Sequence, residues 1–452
     1  MGKHSLAKLQ AEIEKVYLVA DPHITKVMAA SVVAHFLSSD PTWIVIVAPS
    51  GGAKSEFINL VCSMAWKPPA TEAHPHPEEQ KVHALSTLSS KTFISGQKAV
   101  GKDTSLLLQI NNGIITFKDL TSLLSEQKDE RAVIMAQLRE IYDGKLAKSF
   151  GTGETIEWKG KITILAGSTY AIHSMKQSYT AMGERFIFYN MEQPGRYEAA
   201  ERTMANQEEG KMTEHRDRLA EKMKEYILDV LDNMPKEPTK ITAAQRKDTL
   251  DLAELATRAR SDVQRNWSSR DQEITEVYPP EMPTRFAGQL QTMIRALQLL
   301  NLHDTGKPEM TPEDEKIIAK LALDSVTRSR RTAMIELSKY DVLETAGLAV
   351  KLGMPTTSIR RWVEDLVALE VAEREKGSGS KGDRWKIKPE YRDIIRRYEG
   401  VKQEAAELTE IAAELEATTA PAQGSFIPAH LDEGNVKAAK EHGLESFLEN
   451  DL

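Results

Sequence analysis

The stretch Trp43-Ile-Val-Ile-Val47-Ala48-Pro-Ser-Gly-Gly-Ala53-Lys54-Ser55 decides the fold. Five β-branched or aromatic residues in a row predict a buried strand. Pro49, Gly51 and Gly52 break it, and a helix is expected from near Ser55. A strand that feeds a helix through a glycine loop, with Lys-Ser at the junction, is the context in which backbone N–H groups hold phosphate oxygens. The Lys ammonium then neutralises those oxygens and the Ser hydroxyl holds Mg²⁺. Pro49, Ser50, Gly51, Gly52, Ala53, Lys54 and Ser55 are the candidate phosphate ligands, and Ser55 is also a candidate metal ligand. Against the pattern G-x-x-x-x-G-K-[ST], both defining glycines are alanines, Ala48 and Ala53. The competing reading is a plain glycine turn followed by an incidental Lys-Ser.

Strand-like runs recur at Lys91–Ser95, Gly113–Phe117, Ile162–Ala166 and Arg185–Tyr189, with helical stretches between them. Such alternation predicts an α/β unit with a mostly parallel sheet covered by helices. Two helices are expected before the first strand, in residues 5–38. The run Gly113–Phe117 ends in Lys118-Asp119, which leaves Asp119 as the acidic candidate for a metal beside the loop. From Arg196 to about Leu323 only helical spacing remains. The expected divisions are N-terminal helices at 1–40, an α/β core at 41–192, a helical unit at 193–325, a third unit at 326–398 and a tail at 399–452.

The 452 residues are 40% hydrophobic and 28% charged, ordinary for a globular chain and too many for one core. A single cysteine, Cys62, excludes a disulfide scaffold and paired-Cys zinc sites. No apolar run approaches a membrane span, and Met1 to Asp21 has no signal-peptide pattern, so the expectation is a cytoplasmic protein without a membrane partner. The net charge is −8, yet residues 401–452 hold eleven acidic residues against three lysines, so the first 400 residues are neutral. Within them, Arg374, Lys376, Lys381, Arg384, Lys386 and Lys388 form a local basic run that suits a polyanion. His74-Pro-His76 lacks further ligands for a metal, and Lys211 to Lys224 reads as a solvated helix face.

Taken in order, these features resemble the AAA+ ATPases, and among them the mini-chromosome-maintenance-like helicases and related phage or mobile-element replication proteins. The resemblance spans roughly residues 25–300 and includes Tyr142-Asp-Gly-Lys145-Leu-Ala-Lys148, Gly151-Thr-Gly-Glu-Thr-Ile-Glu-Trp158-Lys-Gly160 and the strand from Lys161 to Ala166. It implies an AAA+ phosphate-loop core with a helical lid, and ATP and Mg²⁺ as cofactors. It also implies a hairpin that touches DNA through Lys145, Lys148 and Lys159 in the pore of a ring of identical subunits. Thr169 then stands where the family keeps a polar sensor. Arg185 resembles the arginine finger that reaches a neighbour's nucleotide. Arg285, in Pro283-Thr-Arg285, resembles a second sensor at the start of a lid helix that contacts the γ-phosphate. Asp119, Thr169, Arg185 and Arg285 are the implied catalytic set.

Residues Leu343 to Leu369 read as helix, tight turn and helix, followed by a strand at Val371, the loop Gly377-Ser-Gly-Ser-Lys-Gly382 and a return strand with Trp385 and Ile387. The pattern looks like a winged helix-turn-helix. Arg360 and Arg361 near the start of the second helix are candidates for base contacts, and Lys376, Lys381 and Arg384 on the wing for phosphate contacts. The tail is expected to be disordered, with Leu444, Phe447 and Leu448 as a docking motif for a replication partner. The function expected is an ATP-driven helicase or replication initiator. The alternative is a nucleotide-sensing DNA-binding regulator with a degenerate core, which Lys118 and the two alanines favour.

Overall fold

A computed structural model describes residues 4–67, 79–95, 98–99, 102–103, 105–110, 112–151, 153–175, 185–235, 237, 239–266, 268, 272–377 and 382–397. Residues 1–406 make one compact unit, and the remainder, which contains the expected disordered tail and its docking motif, lies outside the described residues. So do His74 and His76.

The central sheet has six strands: β1 (Trp43–Val47), β2 (Ala65–Trp66), β3 (Gln80–Leu85), β4 (Gly113–Phe117), β5 (Ile162–Ser168) and β6 (Phe186–Asn190). Their order is β6-β1-β5-β4-β3-β2, all parallel except β2, which pairs antiparallel with β3. All five residues of β1 are buried, because both faces of the sheet are covered. Ile44 and Ile46 join one core with the helices Ile24–His35 and Lys54–Cys62, whereas Trp43, Val45 and Val47 join a second core with the helix Lys128–Tyr142. Trp43 is held in place by its indole Nε1, which donates to the Ile162 carbonyl at 2.8 Å. The result is a mixed α/β fold with a mostly parallel central sheet.

Two strand expectations change. Lys91–Ser95 is not a strand: Ser89 to Thr92 closes a turn, and Phe93 and Ile94 reach the second core from irregular backbone. The strand is instead Gln80–Leu85, whose polar Gln80, Lys81 and His83 leave it half-exposed and mask its periodicity. The helical region after residue 196 also contains an antiparallel hairpin, Val263–Arg265 with Ile274–Val277.

Helix starts in that region follow from capping. Thr242 with Gln245, and Thr311 with Asp314, form reciprocal capping boxes. Asp314 is buried and also accepts from Lys26 Nζ at 2.5 Å and Asn301 Nδ2 at 2.7 Å. The helix Ile24–His35 is thereby tied to the later helices and packs within the first core instead of standing as a separate N-terminal element.

The third unit carries a three-stranded antiparallel sheet in which Arg384–Ile387 lies between Leu343–Glu344 and Ala372–Glu375. Helices Arg328–Ser338, Thr345–Leu352 and Thr356–Ala368 pack on it around Trp385, which is fully buried. Gly353 takes φ 57° in the turn between the last two helices. Among the described residues, no helix is long and apolar enough to cross a membrane.

Candidate nucleotide site

The loop after β1 stands at the carboxyl-terminal edge of the sheet, where open α/β folds bind ligands. Ala48 continues the strand: its N–H donates to the Ser168 carbonyl at 3.1 Å and its side chain is fully buried, so a methyl group fits there. Gly51 (φ 78°) and Ala53 (φ 56°) both lie in the left-handed region. The second alanine therefore holds the conformation that the glycine pattern expects, with the strain of a non-glycine residue. At Gly52 a Cβ would displace the end of the Gln193 side chain and sit 3.0 Å from the Pro49 carbonyl oxygen, a tight contact.

The helix begins at Lys54, and the Lys54 side chain is 6% exposed. Among the described residues its ammonium has one polar partner, the Pro49 carbonyl at 3.4 Å. No carboxylate among the described residues pairs with it. A cavity of about 350 Å³ opens on the loop and is lined by Gly51 to Glu56 together with Tyr17, Thr203, Asn206, Gln207, Met212 and Arg216.

Asp119 and Thr169 stand along the loop's other flank. Parallel register aligns Phe117 with Ala166, and Ser168 with Val47, so both residues lie just past the same edge. Asp119 is exposed and its carboxylate accepts from the Thr121 N–H at 2.8 Å. The Thr121 hydroxyl lies 3.2 Å from that of Ser168 and 3.5 Å from that of Thr169. The carbonyl of Lys118 passes 2.5 Å from where a Cβ on Gly167 would sit, which explains the glycine within β5.

Arg185 and Arg285 are elsewhere. Phe186 aligns with Trp43, so Arg185 precedes the opposite edge, roughly 15 Å of strand from the loop. Its guanidinium lies 5.4 Å from the centre of the Tyr142 ring, and that of Arg285 lies 5.9 Å from it. Arg185 is ion-paired to Asp143 at 3.0 Å. Burial, and Arg285 beside it, lower its pKa. A cavity of about 500 Å³ at this edge is lined by Asp40, Tyr142, Asp143, Lys161 and Arg285, among others. Burial pushes Lys161 down to about 8. The start of the Arg285 helix therefore lies at the far edge of the sheet, beside Arg185 and away from this chain's own loop.

The candidate DNA contacts also separate. In the hairpin Lys145–Ser149 with Thr155–Lys159, Lys145 pairs directly with Lys159 on the exposed face, and Leu146, Ile156 and Trp158 are buried. Lys148 falls on the buried side by strand alternation and donates to the carbonyls of Ser90 (2.9 Å) and Ile94 (3.1 Å). It is therefore not presented with the other two. On the wing, Arg374 pairs with Asp383, Arg384 with Glu375 at 2.7 Å, and Lys386 with Glu373 at 3.1 Å. Lys376 is exposed, and Lys381 lies outside the described residues. Arg360 is exposed and bonds Glu364 at 2.8 Å, while Arg361 is half-buried and its carbonyl accepts from Arg265 at 3.0 Å. Arg265 and Arg330 both grip Asp365, fastening this helix to the 263–277 hairpin.

Sequence reasoning missed Tyr17, Glu56 and Arg216 at the loop, since Tyr17, just past the helix Leu6–Val16, and Arg216, in the helix Met212–Asp232, are remote in sequence and carry no motif. Lys161 was legible only as the first residue of a strand. No protein-family model matches this chain, and no curated protein matches it.

Proposed function

We propose that the chain is an ATP-binding AAA+ DNA helicase or replication initiator of a phage or mobile element, working as a ring of subunits on DNA. The observation that carries the reading is Lys54. A buried ammonium with one long contact to a neutral carbonyl is costly, and an anion at the loop relieves that cost. Backbone N–H groups at the N-terminus of the following helix favour the same charge.

The ring reading draws its support from the two edges. Arg185 and Arg285 are too far from their own loop to stabilise charge on a nucleotide held there, so they serve only a neighbour's. Such a finger acts on the transition state and needs assembly. Lys145 and Lys159, paired across the exposed face of the hairpin, supply a phosphate-binding surface near the same edge. The third unit adds a helix-turn-helix to hold DNA. Calorimetry of the full-length protein with ATP and Mg²⁺, followed by turnover with and without single-stranded DNA, tests the reading: Lys54-dependent binding and DNA-stimulated hydrolysis are expected, and absence of binding rejects it.

A second reading, a nucleotide-sensing DNA-binding regulator, is favoured by one feature. Lys118 occupies the first of the two positions where an acidic pair would serve hydrolysis, and Asp119 caps the backbone of Thr121. ATP binding without turnover, with or without DNA, selects it.

A further inference from the structure

The loop is flanked differently on its two sides. Asp119, Thr121, Ser168 and Thr169 stand on one flank and none of them lines the 350 Å³ cavity on the other. A nucleotide whose terminal phosphate lies toward Asp119 and Thr169 therefore places its sugar and base in that cavity, between Tyr17 and the helices Arg196–Glu208 and Met212–Asp232. The group fixed most firmly there is Glu56. Its Oε2 accepts from the Tyr17 hydroxyl at 2.9 Å and from Arg216 Nε at 2.8 Å, and its Oε1 accepts from Arg216 Nη2 at 2.7 Å. Burial pushes its pKa up, but the bonds from Arg216 and Tyr17 outweigh this and hold the carboxyl below its ordinary value.

A carboxylate only accepts hydrogen bonds, so it repels phosphate and selects a donor. Two oxygens offer about four acceptor positions, and three are used. Arg216 neutralises the charge beside the phosphates, and together with Tyr17 it fixes the carboxylate's direction. We propose that this cavity takes the nucleoside end of a ribonucleotide and that Glu56 recognises a ribose hydroxyl. The inference rests on the phosphate-loop reading above. It makes the site selective for nucleotides that keep that hydroxyl.

The test is calorimetry of the full-length protein with ATP, 2′-deoxy-ATP and 3′-deoxy-ATP, none of them carrying a label on the sugar. At least one deoxy analogue is expected to bind about fivefold or more weakly than ATP, a hydrogen bond to a charged group being lost. Glu56→Ala removes that preference, and Glu56→Gln, which keeps the shape and a weaker acceptor, reduces it. Lys54→Ala weakens all three nucleotides alike. If Glu56 merely staples the Met212–Asp232 helix to the loop helix, the variants shift all three affinities together and the ratio stays fixed, which overturns the inference. Equal binding of all three to the unaltered protein also overturns it, while Lys54-dependent ATP binding leaves the phosphate loop standing. No ATP binding at all removes both.

Discussion

The two edges of the central sheet both carry cations and treat them in opposite ways. At the carboxyl-terminal edge, Lys54 is buried with one carbonyl at 3.4 Å and no carboxylate among the described residues. At the other edge, Arg185 is equally buried but is paired to Asp143, which is itself 55% exposed. Lys54 lines the cavity beside its loop, whereas the Arg185 pair lies at the surface through Asp143. Position along the strand, not residue type, separates the two arrangements.

Arg185→Ala is expected to have the largest effect. ATP affinity is expected to stay within about threefold, while turnover falls by about 10³, the lower range for removal of a finger. Mixing this variant with Lys54→Met subunits is expected to restore part of the turnover, because an interface can then join an intact loop to an intact finger. If activity stays absent at every mixing ratio, the two edges are not partners.

Lys54→Met sharpens the other side. Nucleotide affinity is expected to fall at least tenfold, about 1.4 kcal/mol. The nucleotide-free protein is expected to gain about 1 kcal/mol of stability, since a buried charge is replaced by an apolar side chain of similar length. Urea unfolding with and without ATP reads both effects. A less stable free protein would mean that Lys54 has a structural partner instead of an absent anion.

Much of this was legible in the sequence where local chemistry is decisive. Five β-branched and aromatic residues made β1, and the glycines after it made the loop. Lys91–Ser95 misled because Phe93 and Ile94 are buried from a turn, and apolar content alone does not separate a strand from a buried loop. The Val263–Arg265 hairpin was hidden by short strands with few buried side chains. The site was half-legible: Lys54, Asp119 and Thr169 lie on consecutive strand ends, but Tyr17 and Arg216 arrive through tertiary packing. The edge occupied by Arg285 depends on where its helix docks, and no spacing encodes that.

Ala53 offers a smaller effect on the same edge. At φ 56° an alanine carries strain that glycine does not. Ala53→Gly is expected to stabilise the protein by about 0.5 kcal/mol, the relief of strain being partly offset by the greater freedom of glycine in the unfolded chain. The urea midpoint should rise with an unchanged slope. A fall in the midpoint would place the loop in a conformation other than the left-handed one.

The smallest effect carries the partnered-versus-unpartnered distinction to the wing. Arg384 is matched by Glu375 at 2.7 Å, so its charge is already balanced before any polyanion arrives. Lys376 is exposed and has no partner among the described residues. If the wing meets phosphates, Lys376→Ala removes a contact that releases counterions, and the slope of log affinity against log salt should become shallower by about 0.9. Arg384→Ala deletes one cation and leaves Glu375 to Lys386, whose Nζ lies 3.4 Å from its other oxygen. An exposed ion pair of small worth is lost, and the affinity for duplex DNA should fall by no more than about threefold. The slope should change by less than for Lys376. Anisotropy titrations of the full-length variants over a range of salt compare the two directly. Equal slope changes would mean that Glu375 releases Arg384 on binding, and that ion pairs on this hairpin do not decide which cations a polyanion can use.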